Sequence, residues 1–511
     1  MLFNSYIYIL VFLPLVATTY YVAGARLHRK LSIAWLVVAS LFFYGWWNPV
    51  YLSLIIGSAV FNFAVGGRLG GSSSKQARLT LLIAAITLNL SLLGYFKYAN
   101  FFIDNINLVF GTEVALGSIF LPLAISFFTF QQISFLIDSY RGQIKDFSFI
   151  HYMLFVTFFP QLIAGPIVHH AEMMPQFDKD ETYKLRLRNI ELGVSIFAIG
   201  LFKKVVIADH FSAYARPIFD AVDGGVTLTM LDYWLGAMAF CLQLYFDFSG
   251  YSDMAIGSAR LFGIKLPINF YSPYKALNVA QLWRRWHMTL TRFVTAYVFM
   301  PMMLKRRKQA IQTNASEQQV FWATVAYPTV VTFLLIGVWH GAGWNFAIFG
   351  LLQGIFIVVN NLWQRFRKNT LKQNLHETTL IGRAASRGLT VMVATYSMVF
   401  FKAATTSGAM MMAGGMLGLD GFSLDSSVID ARSLLLYAAG GFSIIFLLPN
   451  TQQLFVDYEP SLEPLRPNEA RWGLEKLKWK PSGRWAIYCS GLFITALLNM
   501  SKVSEFIYFQ F

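Results

Sequence analysis

The sequence predicts an all-α, polytopic membrane protein. Of its 511 residues, 56% are hydrophobic and 13% are charged, whereas a soluble domain carries roughly 25% charged residues. The mean hydropathy is +0.51, and apolar runs recur from the first residues to the last. Most runs approach the ~20 residues that a helix needs to cross the hydrocarbon layer. We therefore expect residues 1–511 to form one membrane-embedded domain.

The predicted spans follow these apolar runs. Several runs are short or contain Pro and Gly, so they indicate about 11–13 transmembrane helices. They centre near residues 5–23, 32–48, 50–66, 79–96, 115–137, 150–167, 190–208, 229–250, 319–337, 344–363, 388–405, 432–449 and 485–500. Residues 150–167 and 270–300 are candidates for re-entrant or partly embedded helices. The first run lacks a basic leader and a small-residue cleavage site, so we interpret it as a retained span.

The distribution of charge predicts the orientation. The net charge is +15, and Lys and Arg cluster between the apolar runs, as in cytoplasmic loops that obey the positive-inside rule. Both termini are then extracytoplasmic, with the Lys/Arg-poor loops 97–114, 209–228 and 406–431 on the outer side. The basic clusters would attract anionic membrane lipids, and their short length argues against nucleic-acid binding. Cys241 and Cys489 form neither a disulfide framework nor a thiol metal site.

The most informative segment lies between Glu317 and Arg365, where 47 residues contain no acidic or basic side chain except histidine. This length suits two spans joined by a tight turn. Inside it is GVWHGAGWNFAIFG, residues 337–350, which contains His340. An ionisable side chain at this depth is a functional candidate, and burial is expected to keep it neutral and able to accept a proton. The structural alternative is a hydrogen bond from His340 to a neighbouring helix.

A second candidate is His287 in QLWRRWHMTLTRF, where Arg284, Arg285 and Arg292 accompany aromatic residues. Taken alone, this stretch is typical of an interfacial helix whose arginines lie at the lipid head groups. A catalytic role for His287 is the alternative. The arginines could instead bind the phosphates of a substrate.

Two acidic residues form the third feature. Asp247 and Asp253 lie in the otherwise apolar stretch LQLYFDFSGYSDMAIG, residues 242–257. We expect them to pair with Arg284 or Arg285 and hold packed helices in register, or to line a polar tunnel. Gly250 in the same stretch is typical of a kinked or closely packed helix.

The sequence contains no signature of a covalent nucleophile or of a metal site. It has no GxSxG motif, phosphate-binding loop or zinc pattern. His169 and His170 are adjacent, but no carboxylate–histidine cluster of ligand spacing accompanies them. A neutral histidine acting as general base in direct acyl transfer fits this composition best.

The chain resembles the membrane-bound O-acyltransferase (MBOAT) family, in particular its bacterial branch that acylates extracellular polymers. The matching motifs are spread over residues 1–360 in one order. They are LGYFKYANFF (93–102), LPLAISFFTFQQISFLIDSYRG (121–142), FFPQLIAGPI (158–167), FKKVVIAD (202–209), YFDFSGYSDMAIG (245–257), INFYSPYKALNVAQLWRRWH (268–287) and WHGAGWNFAIFGLLQG (339–354).

The resemblance implies tilted and re-entrant helices around a transmembrane tunnel, with an acyltransferase core over about 90–365 and C-terminal helices over 388–511. It implies that His340 and His287 are catalytic. The predicted substrate-binding residues are Arg284, Arg285, Trp339, Asn345, Asp247 and Asp253. It also implies acetyl-CoA or another acyl thioester as co-substrate, with no bound cofactor or metal, and location in the bacterial cytoplasmic membrane. The expected partners are a separate extracytoplasmic protein similar to SGNH hydrolases and a polysaccharide or cell-wall polymer as acceptor.

Residues 291–309, TRFVTAYVFMPMMLKRRKQ, depart from the pattern like RDYLYIPLGG that usually follows WRRWH in alginate-type members. The departure leaves open which polymer is acylated and whether the group is acetyl or D-alanyl. Two other classes of function stay open on the residues alone. One is a lipid or polysaccharide transporter with an intramembrane proton relay. The other is a non-catalytic scaffold of a cell-surface complex.

Overall fold

A computed structural model describes residues 1–26, 28–71, 74–144, 148–374, 379–423, 425–426, 428–463, 477–500 and 507. Within these ranges the regular structure is helical and contains no strand, which confirms the predicted all-α class. The N-terminal part of the chain contains eight α-helices. They are α1 (Leu13–Arg26), α2 (Arg29–Gly45), α3 (Tyr51–Leu69), α4 (Lys75–Phe110), α5 (Ile125–Tyr140), α6 (Phe149–Thr157), α7 (Phe159–Leu162) and α8 (His170–Phe177).

The middle third holds the longest buried helix and a chain of short helices. These are α9 (Leu187–Phe202), α10 (Asp209–Asp223), α11 (Met230–Arg260), α12 (Val279–Trp283), α13 (Met288–Val294) and α14 (Met300–Gln312). The C-terminal third begins with a long helical hairpin. Its helices are α15 (Glu317–Phe321), α16 (Tyr327–His340), α17 (Trp344–Asn369), α18 (Leu380–Lys402), α19 (Thr406–Met416), α20 (Ala431–Leu447), α21 (Thr451–Leu454) and α22 (Gly483–Asn499).

Several α-helices join end to end through single π-helical turns. The π-helical turns are Tyr8–Phe12, Lys203–Ala208, Thr295–Phe299 and Trp322–Ala326, and short 3₁₀ turns cover Asp180–Tyr183, Pro273–Lys275 and Val456–Tyr458. A π-turn widens the helix by one residue and is frequent at functional sites. The turn at 203–208 carries buried side chains, among them Lys204.

Five described helices are long and apolar enough to cross a membrane. They are Tyr51–Leu69, Lys75–Phe110, Glu317–His340, Trp344–Asn369 and Leu380–Lys402, and the shorter apolar helices are Tyr8–Gly24 and Ala431–Leu447. These helices confirm a polytopic membrane protein. The total of about 11–13 spans stays a prediction, because many predicted spans coincide with broken or shorter helices. Residues 464–476 and most of the expected C-terminal stretch 501–511 lie outside the described residues.

Two of the predicted outer loops are largely helical. The predicted loop 97–114 is wrong over most of its length, because α4 continues without a break to Phe110. The predicted loop 209–228 is likewise occupied by α10, Asp209–Asp223. In both cases the apolar run ends at polar residues whose side chains have partners inside the protein. Hydropathy therefore placed the end of the helix too early.

The contact between α9 and α11 is close enough to be made by backbone. Gly200 faces Gly250 and Gly193 faces Gly257, so the two pairs are seven residues apart on both helices. A Cβ atom added to Gly250 would lie 2.7 Å from the carbonyl oxygen of Gly200, and one added to Gly257 would lie 2.7 Å from that of Gly193. Small residues at matched positions let membrane helices approach in this way. The predicted close packing at Gly250 is confirmed.

Replacing Gly250 by leucine should stop α9 and α11 from packing, because backbone cannot withdraw from the new side chain. Overpacking of a buried contact costs about 1–3 kcal/mol or more. We expect less monodisperse protein on size-exclusion chromatography in detergent, and a lower unfolding temperature. Gly57→Leu is the matched control, since an added Cβ there meets no atom within 4 Å. Equal stability of the two variants would contradict the backbone contact.

Candidate active site

The site is built on the α16–α17 hairpin, which forms as the uncharged run predicted. The turn between the two helices is only residues 341–343. Gly337 of α16 faces Gly350 of α17, where an added Cβ would lie 2.7 Å from the Gly350 Cα atom. Gly341 faces the ring of Phe346. The glycines of this segment therefore bring the next helix onto the end of α16, where His340 is the last residue.

His340 lies in an aromatic enclosure. Its side chain is 5% exposed, and its ring centroid lies 4.9 Å from that of Phe401 and 6.2 Å from that of Phe349. On the other side, the Trp339 ring lies 4.8 Å away. These rings belong to α16, α17 and α18, so three helices hold the imidazole in one place.

A lysine from α4 caps the C-terminal end of α16. The Nζ atom of Lys97 donates to the backbone oxygen of Trp339 and, at 3.1 Å, to that of His340. It also lies 5.6 Å from the centroid of the Trp339 ring. A cation at a helix C-terminus satisfies orphan carbonyls and complements the helix dipole. Lys97 thereby fixes the two backbone groups that carry the candidate catalytic side chain.

His287 also lies close to Trp339. The centroids of the His287 and Trp339 rings are 6.5 Å apart, and Phe248 packs edge-on against His287 at 4.9 Å. His287 is 1% exposed and has a left-handed backbone, with φ 42°. Its Nδ1 atom lies 3.3 Å from Oδ1 of Asn269. The two predicted histidines and Trp339 are thus brought together in one buried cluster.

The other predicted substrate-binding residues are more scattered. Arg284 is exposed and Arg285 is half-buried, so neither shares the enclosure of His287. Asn345 is buried and donates from Nδ2 to the backbone oxygen of Ala403 at 2.8 Å. This bond ties the start of α17 to the end of α18, close to Phe401. In the structure Asn345 therefore supports the pocket, and its contact with substrate stays a prediction.

The expected pairing of Asp247 and Asp253 with arginines is wrong. Asp247 binds Lys204 at 2.7 Å, and both side chains are almost fully buried. Asp253 binds Lys203 at 2.7 Å and accepts from the Thr451 hydroxyl at 2.6 Å. The lysines follow the glycine contact of α9, whereas the arginines lie on the separate segment around α12. Both acids do hold packed helices together, as predicted.

A row of stacked rings leads from Trp339 away from His340. Phe130 stacks on Trp339 at 5.3 Å and on Phe293 at 4.6 Å. Phe293 contacts Tyr297 at 4.9 Å, and Tyr297 donates to the carboxylate of Asp138 at 3.0 Å. Near the end of the row are two arginines, Arg141, which lies over the Tyr297 ring at 5.6 Å, and Arg292, which pairs with Glu172 at 2.8 Å. Burial and the charge of Arg292 lower the pKa of His169, whose Nδ1 lies 3.1 Å from the Tyr297 hydroxyl.

A small polar cavity is lined in part by Asn269. Its lining includes Ser249, Ser252, Asp253 and Thr451. It therefore connects the Lys203–Asp253 ion pair with the residue that contacts His287. In the part of the chain that the structure describes, no group of three or more His, Cys, Asp and Glu side chains could hold a metal ion.

Sequence reasoning did not single out Lys97, Asn269 or Phe401 as site residues. Lys97 was placed at the end of a span, although a lone lysine inside an apolar helix is itself a signal. Asn269 is a neutral residue in an irregular segment, and nothing in its neighbours distinguishes it. Phe401 is one of 48 phenylalanines in the chain, so only the fold identifies it.

Comparison with known proteins decides the family. Residues 136–402, just over half of the chain, match the model of the MBOAT, membrane-bound O-acyltransferase family. The peptidoglycan O-acetyltransferase of Helicobacter pylori is 42% identical over 83% of this chain and 81% of its own length. This chain belongs to the membrane-bound O-acyltransferase family. It is an acyltransferase, as the resemblance implied.

Other relatives cover this acyltransferase to different extents. A probable alginate O-acetylase of Pseudomonas aeruginosa is 30% identical over 100% of both chains. A teichoic acid D-alanyltransferase of Streptococcus thermophilus is 29% identical over 49% of this chain and 59% of its own length. The matched family region, 136–402, contains His287, Trp339 and His340. It ends at the last residue of α18, next to Phe401.

Removing Lys204 should destabilise this membrane-bound O-acyltransferase more than removing its whole buried pair. Lys204→Met leaves Asp247 buried without its cation and also removes the partner of the more exposed Asp209; breaking a buried pair on one side costs about 3–5 kcal/mol. Adding Asp247→Asn should recover much of that stability. Thermal unfolding in detergent measures both variants. A double variant as unstable as the single one would show that the pair is not the source of the effect.

Proposed function

We propose that this acyltransferase moves an acetyl group from acetyl-CoA, a cytoplasmic thioester, towards hydroxyl groups of an extracytoplasmic polysaccharide or cell-wall polymer. The observation that carries the proposal is the buried arrangement of His340, Trp339 and His287. Two imidazoles in a water-poor enclosure suit proton transfer at a reacting carbonyl. The relatives with the widest coverage are named as acting on peptidoglycan and alginate, which supports a polymer acceptor.

His340 is proposed as the general base. The attacking hydroxyl gives its proton to the imidazole while its oxygen adds to the thioester carbonyl. Collapse of the tetrahedral intermediate breaks the carbon–sulfur bond and leaves an ester. The proton held by His340 then passes to the departing thiolate, so the imidazole returns to its neutral form. The fixed backbone of His340, capped by Lys97, supports a constant ring position through these steps.

The donor is proposed to reach the site along the row of stacked rings. Its phosphates need cations, and Arg141 and Arg292 lie near the far end of the row at Tyr297. Arg284, which is exposed, is a further candidate for these phosphates. The apolar rings between Tyr297 and Trp339 would exclude water from the thioester arm. A donor mouth near these arginines would agree with the positive-inside rule, which expects basic residues on the cytoplasmic side.

The acceptor side is proposed to face away from the cytoplasm, with the protein in the bacterial cytoplasmic membrane and both termini outside. A separate extracytoplasmic protein resembling SGNH hydrolases would receive the acetyl group or complete its transfer to the polymer. Membrane lipids cover the exposed apolar faces of the spanning helices. Acetyl is favoured over D-alanyl because the teichoic acid relative covers only 49% of this chain, against 83% for the peptidoglycan relative.

Replacing His340 by alanine should abolish acetyl transfer while the protein still folds. General-base catalysis contributes about 10²–10⁴-fold, so transfer should fall by at least about 100-fold. The protein is reconstituted in liposomes with radiolabelled acetyl-CoA, the SGNH-like partner and the polymer, and both labelled ester and released thiol are measured. His28→Asn is the matched control, because His28 is exposed and caps α2, and asparagine can cap a helix equally well.

The outcomes of this assay distinguish acetyl transfer from the alternative functions. Normal acetylation by His340→Ala would refute the base assignment. Polymer or lipid movement without thiol release would favour a transporter instead. Transfer of D-alanine but not acetyl would keep the reaction type and change the acyl group.

A further inference from the structure

The geometry around His287 sets which of its two ring nitrogens carries the proton. A neutral imidazole has one nitrogen that donates and one that accepts, and its hydrogen-bond partner decides between them. The partner of Nδ1 is the side-chain amide of Asn269, which is 1% exposed. An amide can donate or accept, so the direction of this bond must be traced from a group that has no choice.

That group is the backbone N–H of Ile167, which can only donate. It donates to the hydroxyl oxygen of Thr289 at 3.0 Å. The Thr289 hydroxyl hydrogen is then directed to Asn269, whose side-chain atom lies 2.6 Å away. The atom of Asn269 that accepts this bond is the carbonyl oxygen, Oδ1. The amide Nδ2 points to the Ser252 hydroxyl at 3.2 Å.

An oxygen that accepts from Thr289 can only accept from His287 as well. The His287 Nδ1 atom, 3.3 Å from the same oxygen, is therefore the donor and carries the proton. The lone pair of the neutral ring then lies on Nε2, the nitrogen remote from Asn269. Two donors, the Thr289 hydroxyl and the His287 Nδ1–H, thus converge on the same amide oxygen of Asn269.

The backbone around His287 is held by the same segment. Met288 donates from its backbone N–H to the backbone oxygen of Asn269 at 2.9 Å, and Tyr271 donates to that of Arg285 at 3.0 Å. These bonds clamp the left-handed residue from both sides. A non-glycine residue in this conformation needs such over-determination, because it is intrinsically disfavoured. Asn269 thus fixes both the main chain and the ring of His287.

We propose that Asn269 is a positioning residue which, with Thr289, holds His287 as the tautomer protonated on Nδ1 and so makes Nε2 a hydrogen-bond acceptor in the site where His340 takes the proton. The inference rests on the proposed acetyl transfer and sharpens it, because it assigns His287 a hydrogen-bond-accepting role. An oxyanion donor at Nε2 would need the opposite tautomer or a charged ring.

Asn269→Asp is the diagnostic variant. A carboxylate keeps the size of the amide and still accepts from Thr289 and His287, but its negative charge favours the imidazolium form of His287. The titratable groups around this position are His340 on α16, Lys97 on α4 and, across the cavity that Asn269 lines, Lys203 and Asp253, and all are unchanged in the variant. In Asn269→Asp the His287 imidazole stays protonated up to a higher pH than in the wild type. If His287 must be neutral to act, the acid limb of the plot of kcat against pH should therefore move to higher pH.

Thr289 supplies the second test. Thr289→Val removes the hydroxyl that donates to Oδ1 of Asn269. The kcat should therefore fall by about 10- to 100-fold, with the KM for acetyl-CoA little changed. Thr289→Ser keeps the hydroxyl and should recover most of that loss. Thr495→Val is the control for loss of a threonine hydroxyl, since Thr495 is exposed on α22 and donates only to the backbone of its own helix.

The reconstituted acetyl-transfer assay, run from pH 5 to pH 9, measures both tests. The inference is supported if the acid limb of kcat lies at higher pH in Asn269→Asp and if Thr289→Ser recovers most of the kcat that Thr289→Val loses. An acid limb identical to that of the wild type, or a serine variant as weak as the valine variant, would overturn it and leave the acetyl-transfer proposal standing. A wild-type protein that does not release thiol from acetyl-CoA would instead refute the proposed function itself.

Discussion

The rest of the structure depends on the backbone contact between α9 and α11. Where Gly200 meets Gly250, no side chain separates the two helices. This approach brings Lys203 and Lys204, which follow Gly200 on α9, against the acids three residues before and after Gly250. Buried ion pairs need good geometry to offset desolvation, and a rigid glycine contact supplies it.

That contact also determines where the site can form. The same helix α11 carries Phe248, which packs on His287, and Ser252, which accepts from Asn269. A shift of α11 along α9 would therefore move both supports of the histidine. The α16–α17 hairpin repeats the principle at Gly337 and Gly350. His340 lies on α16 and His287 packs against α11. The distance from each of these helices to its neighbour is set by a backbone contact and not by flexible side chains.

Patterns within one continuous segment of the sequence predicted the structural features that depend on that segment alone. The uncharged run predicted the helical hairpin and the burial of His340, because both follow from transfer free energies along a continuous segment. The partners of Asp247 and Asp253 could not be predicted this way. Ion pairing depends on which helix faces which, and the basic residues at 284 and 203 are indistinguishable by composition. Asn269 escaped notice for a related reason, since its importance comes from three segments that meet only in the folded protein.

The lysine that caps α16 has a consequence for how the chain is made. Lys97 and His340 are 243 residues apart, so the carbonyl groups that Lys97 binds do not exist when α4 emerges from the ribosome. Synthesis at about 5–20 residues per second separates the two events by roughly 12–50 s. During that interval α4 carries a cation without these carbonyl partners, and a lysine at the centre of a membrane helix costs about 2.5–3.5 kcal/mol on insertion scales. The membrane insertion of α4 is therefore less stable until the α16–α17 hairpin is made and its carbonyl groups bind Lys97.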